Sequence, residues 1–177
     1  MLVLGVDPGL KGGLAWVRYR TTTGTATLLT ADAMPTVQAV KGKGTQGRVS
    51  GASLAHLLRM TATPDLAVIE AVSARPEQGV TSMFSFGRGL GVVEGVLAAL
   101  GVPVEYLTPQ TWRGLVNHRG DKDGARAKAQ ALFPIHAGKF ARVKDDGVAE
   151  AVLIALAGAK KFGGVPQRLP SPASLLS

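Results

Sequence analysis

Four carboxylates sit at the ends of segments that a fold would bury. Asp7 closes the apolar run LVLGV, and Glu70 closes a second run, LAVI. Asp146 and Glu150 lie at the start of DDGVAEAVLIALAGA, four residues apart, about 40° around a helix, and so share a face. If the two apolar runs are parallel neighbours in one sheet, Asp7 and Glu70 leave it side by side. Carboxylates gathered in this way repel one another unless a cation neutralises them. Hard divalent ions such as Mg2+ or Mn2+ take oxygen ligands, and the chain has no cysteine for a softer metal. Two such ions, about 3.5–4 Å apart, activate a water and stabilise the leaving oxygen of a phosphodiester. Each acid also has a plainer role when taken alone. Asp7 can close an Asp-Pro turn, Glu70 can pair with Arg75, and Asp146 can cap its helix. Asp145, five residues before Glu150, points elsewhere on that helix. The metal reading rests on the combination.

Charge supplies a second constraint. Twenty Lys and Arg stand against twelve Asp and Glu, a formal charge of +8, which suits a polyanionic partner. A basic chain with an acidic metal centre has the make-up of a nuclease: cations hold the backbone and metals cut it. Hydrophobic residues make up 46% of the chain, enough for a folded core and too many for a disordered one. Its longest apolar stretches break well before the roughly 18 residues that a membrane span needs. No basic segment precedes the first strand, so no signal peptide is expected. Without cysteine there is no disulfide framework, and a cytoplasmic protein is expected.

The elements that must position the acids follow from pattern. Leu2–Val6 and a hairpin over residues 12–29, turning at Thr21–Thr25, predict a three-stranded meander. Residues 41–51, KGKGTQGRVSG, are basic, glycine-rich and aperiodic, and predict a flexible loop. Ser50 or Ser53 caps a helix to about Met60, and PDLAVIEAV supplies the next strand. A long helix over 81–100 ends at Gly101, followed by a strand over 102–107. Thr108 and Pro109 open a short helix to Val116; DKDGARAKAQALF is another, stopped by Pro134. The last helix spans about 146–160. Strands followed by alternating helix and strand predict one α/β domain over residues 1–160, with a flexible tail over 161–177.

The segments LGVDPGLKGGLA, LAVIEAV, SMFSFGRGLGVVEGVLAALGVPVEYLTPQTWR and KDDGVAEAVLIALA, in this order, resemble the RuvC family of Holliday-junction resolvases, closest to its bacteriophage-type branch. The resemblance implies an RNase H-like fold: a mixed five-stranded sheet, three strands antiparallel and two parallel, flanked by helices on both faces. It implies a homodimer that binds four-way DNA junctions and makes paired cuts with Mg2+ or Mn2+, leaving 5′-phosphates. A flap or Y-fork nuclease, or a junction-binding protein without activity, is the alternative on the same fold. The acidic tetrad carries over onto Asp7, Glu70, Asp146 and Glu150. The cellular motif has its last two Asp three residues apart rather than four, which leaves Asp145 open as the third ligand. A catalytic lysine falls on Lys122, with Arg126 and Lys128 as alternatives on the same helix.

The 81–100 helix is the expected dimer contact, because Gly87, Gly91 and Gly95 make a smooth stripe at four-residue spacing. Lys41, Lys43, Arg48, Arg75 and Arg88 are candidate phosphate contacts. Phe84, like Phe86, either stacks on unpaired bases or packs in the core. Gly9, Gly12 and Gly13 permit a tight return after Asp7 and a close approach by a DNA backbone. Gln110 and Trp112 are assigned no chemistry.

Overall fold

The computed structural model describes residues 1–42, 44–72, 79–120 and 122–163, with Lys41 and Lys122 described by backbone alone. The first half of the chain forms β1 (Leu2–Asp7), β2 (Gly13–Arg20), β3 (Thr25–Ala33), β4 (Thr36–Lys41), β5 (Gly44–Val49), α1 (Gly51–Met60) and β6 (Leu66–Glu70). The second half forms α2 (Val80–Ala99), β7 (Val104–Leu107), α3 (Pro109–Leu115), α4 (Lys122–Leu132) and α5 (Asp146–Phe162). Two 3-10 turns, Pro134–Phe140 and Val143–Asp145, connect α4 to α5.

One sheet has the order β3-β2-β1-β6-β7. The meander β1-β2-β3 is antiparallel, while β1, β6 and β7 run parallel. This is the mixed five-stranded sheet expected from the sequence. Its central strand is buried on both faces, which is why β1 reads as an unbroken apolar run. Leu2, Leu4 and Val6 pack with Leu54 and Leu58 of α1 and Val93 and Leu97 of α2. Val3 faces the opposite layer, where α5 meets Trp112 of α3 and Ala125 and Ala129 of α4.

Backbone chemistry sets the helix ends much as expected. The Ser50 hydroxyl accepts from Ser53 N–H at 3.2 Å to cap α1, and the Thr108 hydroxyl accepts from Thr111 N–H at 3.2 Å ahead of Pro109. Gly101 takes the left-handed φ of +67° just past α2.

Residues 41–51 depart from expectation. Instead of a loop, Gly44–Val49 pairs with Thr36–Lys41 as an antiparallel hairpin, a separate two-stranded sheet that turns at Gly42 with φ +59°. Glycine and lysine in GKGTQGR hide the alternation, and no strand signal survives in a window that omits β4. The first hairpin also runs longer than predicted, to Ala33, and α5 reaches Phe162, so Lys161 and Phe162 are helical rather than tail. The rest of the proposed tail, residues 164–177, lies outside the described residues. Among the described residues no helix is long and apolar enough to cross a membrane.

Candidate active site

The register of β1 and β6 puts their acids together. Val3 faces Leu66, Gly5 faces Val68 and Val6 faces Ile69, so one more step sets Asp7 beside Glu70. Side chains alternate along a strand, and Asp7 shares its face with Val3 and Gly5, as Glu70 does with Leu66 and Val68. Both acids therefore face the α5 layer.

Helix α5 reaches them because its contact face has almost no side chains. A Cβ on Gly5 would stand 2.1 Å from Ala151 O and 2.4 Å from Ala155 N, and one on Gly158 would stand 2.4 Å from Val68 Cγ2. At its N-terminal end, Gly147 bridges to Gly12, and a Cβ on Gly13 would stand 2.6 Å from Val148 Cα. The glycines after Asp7 thus admit the start of α5. Gly12 also closes the return itself, its N–H donating to Gly9 O at 2.9 Å. This backbone-on-backbone seat places Asp146 and Glu150, on the first turns of α5, at the Asp7–Glu70 end of the sheet. Every residue from Gly147 to Ala159 is buried, Glu150 included.

Each acid has a named neighbour. Asp7 Oδ1 accepts from Gly9 N–H at 3.2 Å, so the residue does close its own turn. Glu70 Oε1 accepts from the indole Nε1–H of Trp112 at 2.8 Å. Glu150 Oε1 lies 3.8 Å from Arg113 Nη2, and Asp146 Oδ1 lies 2.8 Å from Arg126 Nε. That last pair is close enough for an ion pair but not aligned as a hydrogen bond, which leaves Asp146 Oδ1 buried without one. Arg126 also bonds Asp123, and this bond is the largest of the effects that raise its already high pKa.

Asp145 has a different post. It accepts from Arg142 through Nε at 3.1 Å, Nη2 at 3.0 Å and the backbone N–H at 2.9 Å, and it is 5% exposed. The Arg142 hydrogen bonds hold its carboxyl below the usual range against the opposing cost of burial. Both of its oxygens serve the turn into α5.

The fold has counterparts among solved structures. The chain is similar to Thermus thermophilus RuvC in complex with a Holliday junction substrate, at 18% identity and TM-score 0.66, over 95% of this chain and 99% of that one. It is also similar to the fowlpox virus Holliday junction resolvase, at 18% identity and TM-score 0.54, over 92% and 99%. A third likeness is to the yeast mitochondrial Holliday junction resolvase, at 16% identity and TM-score 0.53, over 89% and 77%. The fold is that of the RuvC resolvases. At such identities the likeness is one of fold; no protein-family model and no curated protein sequence matches the chain.

On this RuvC-type fold the four acids converge at one sheet end. Among the described residues, however, no three acidic or histidine side chains stand close enough to hold an ion as placed. The donor set is all carboxylate oxygen, which suits Mg2+ or Mn2+, and Asp146 Oδ1 is buried with the Arg126 guanidinium beside it but no aligned hydrogen bond. The residues fit such a metal in kind.

Of the three cations considered on α4, Arg126 reaches the acids. Lys128 Nζ instead donates to Asn117 O at 3.1 Å, and the side chain of Lys122, the first residue of α4, lies outside the described residues. Arg48 and Arg88 border the space between the β4–β5 hairpin and α2, together with exposed Phe84. Lys43 and Arg75 lie outside the described residues, as does the Lys41 side chain.

Two residues assigned no chemistry or passed over in the sequence stand at the site: Trp112 and Arg113. Trp112 is fully buried, stacked on His118 with centroids 5.9 Å apart, and Arg113 lies 5.2 Å over its ring. The left-handed Asn117, φ +51°, turns the chain after α3 so that His118 can stack. A tryptophan in TPQTWR reads as core, and only the pairing of β6 with β7 aims its N–H at Glu70.

Proposed function

We propose that the protein is a divalent-metal-dependent endonuclease that resolves four-way DNA junctions by paired phosphodiester hydrolysis, leaving 5′-phosphates. What supports this reading is that the strand register sets Asp7 beside Glu70 and that α5, which carries Asp146 and Glu150, begins at the turn that follows Asp7, on the fold shared with three resolvases. These four acids would hold two Mg2+ or Mn2+ ions. When bound, such ions supply Lewis acidity to activate water and to stabilise the leaving oxygen.

The chain's own residues do the rest. The Trp112 N–H fixes one Glu70 oxygen, while Arg113 and Arg126 offset the charge of Glu150 and Asp146. The Arg113 side chain is 43% exposed, so it can also meet a phosphate at the same acids. Lys122, at the start of α4, is a further candidate to steady charge developing on that phosphate. Lys41, Lys43, Arg48, Arg75 and Arg88 would hold DNA arms, with Phe84 as a stacking surface.

A homodimer through α2 is part of the proposal, since two opposed cuts require two centres. Gly87, Gly91 and Gly95 are exposed with open space around them, beside exposed Val80, Met83 and Phe84.

The test is cutting of synthetic four-way junctions in Mg2+ or Mn2+, in competition with Y-forks and linear duplex. Symmetric paired nicks are expected from the wild type. Asp7→Asn is expected to lose cutting while still shifting the junction on a gel; cutting at the wild-type rate would remove the acid site. Single nicks confined to forks would replace junctions by forks as the substrate.

A further inference from the structure

Between the β4–β5 hairpin and the first turns of α2 runs a groove that the four acids do not account for. It consists of two recesses, of about 490 Å³ and 470 Å³, which share Gln46, Val49, Thr81, Ser85 and Gly89. The inner recess is walled by Pro8 to Lys11, the turn that follows Asp7. The outer one opens past Arg48, Phe84 and Arg88. The groove therefore leads from the turn that follows Asp7 to a basic rim.

Its walls are held at a set spacing. Gln46 Nε2 donates to Ser85 Oγ at 3.2 Å, tying the hairpin to α2. Gly89 lets the helix close on β5, since a Cβ there would stand 3.2 Å from Val49 Cγ2.

The chemistry of the lining is one-sided. Lys11, Arg48 and Arg88 contribute to it, and among the described residues no acid does. Hydroxyls of Thr81, Ser82 and Ser85 add hydrogen-bonding capacity, and Leu10, Val37 and Phe86 supply apolar surface. Cations and hydroxyls suit phosphodiesters, while apolar and aromatic walls suit exposed base faces. Recesses of this volume are of small-molecule size, which fits single nucleotides in file.

We propose that this groove receives an unpaired strand of the branched DNA, running from the acidic site out past Arg48 and Arg88. The inference rests on the nuclease reading for the identity of the nucleic acid, and adds where its unpaired segment lies. The Gly87–Gly91–Gly95 stripe borders Phe84 and Arg88 on α2, so a dimer contact there would flank the rim while Thr81, Ser85 and Gly89 stay with the groove.

The test is binding of a short labelled oligothymidine, followed by fluorescence anisotropy in EDTA, with a blunt duplex measured in parallel. Thr81→Trp fills the region shared by both recesses from an exposed helix position, and Arg48→Glu reverses the charge at the rim. Each is expected to weaken strand binding by about tenfold or more, and Thr81→Trp to weaken duplex binding by less than about threefold. Strand affinity within about twofold of wild type in both variants overturns the groove. So does equal loss on strand and duplex, or a change of oligomeric state in Thr81→Trp on sedimentation, which would assign the groove to a second copy of the chain. Junction cutting by the wild type in Mn2+ reads the nuclease proposal separately. If cutting is present and the variants bind strand normally, the groove alone fails. If the variants lose strand while the wild type cuts no branched DNA, the groove stands and the nuclease reading falls.

Discussion

The indole N–H of Trp112 holds one oxygen of Glu70, and Arg142 holds both oxygens of Asp145. These two contacts separate carboxylates that look alike in sequence. Trp112→Phe keeps the buried ring and removes the donor, so Glu70 is free to rotate. The expected result is a rise of about tenfold in the Mn2+ concentration for half-maximal cutting, with a smaller loss at saturating metal. An unchanged metal titration would make Trp112 a packing residue only. The Asp145 and Asp146 variants should diverge. Asp146→Asn is expected to abolish cutting with little change in melting. Asp145→Asn is expected to keep cutting and to lower stability by about 1 kcal/mol, below the usual range for a charged hydrogen bond because Arg142 is 65% exposed. Denaturant melts and junction nicking measure the two effects independently. The sequence placed four acids at segment ends and favoured Asp146 by its helix face, but it left Asp145 open as the third ligand. Only the turn at Val143–Asp145, closed by Arg142, tells them apart.

Helix α5 is the element that brings one pair of acids to the other. Its apolar composition was plain in DGVAEAVLIALA, as was its start near Asp146. Its seat was not, because small residues signal close approach without naming the partner. The partner is the glycine set of β1 and β2, with Ala151 O only 2.1 Å from where a Cβ of Gly5 would lie. Gly5→Ala is therefore expected to destabilise the chain by about 1–3 kcal/mol and to reduce cutting, since α5 must move off the sheet. Gly158→Ala should cost less, because what it meets, Val68 Cγ2 at 2.4 Å and Cβ at 3.0 Å, is side chain rather than helix backbone. Urea unfolding of both variants checks the order; a Gly5→Ala variant as stable as wild type would mean that α5 is not seated as described. The β4–β5 hairpin shows the opposite case. Its sequence is too rich in Gly and Lys to read as strand, and its pairing comes from Thr36–Lys41 lying opposite and from the contact of β5 with α2.

At the scale of the whole molecule the open question of assembly falls on α2. Three of its glycines face open space, a costly choice for a monomer because each Gly in a helix interior loses about 1 kcal/mol relative to Ala. Gly91→Ala is expected to raise the melting temperature of the monomer slightly and to weaken a dimer by about tenfold or more, read by sedimentation over a concentration series. A dimer of unchanged strength, or a wild type that stays monomeric, would remove α2 as the contact. The chain's formal charge of +8, its lack of cysteine, the elements of its five-stranded sheet and the identity of its acids were legible in the sequence, because composition and hydrophobic period are local properties. The strand register beside β6, the seat of α5, the hold of Trp112 on Glu70 and the hairpin groove were decided by tertiary structure. Each of these depends on contacts between residues far apart in the chain, where glycine, alanine and tryptophan carry no local sign of what they will touch.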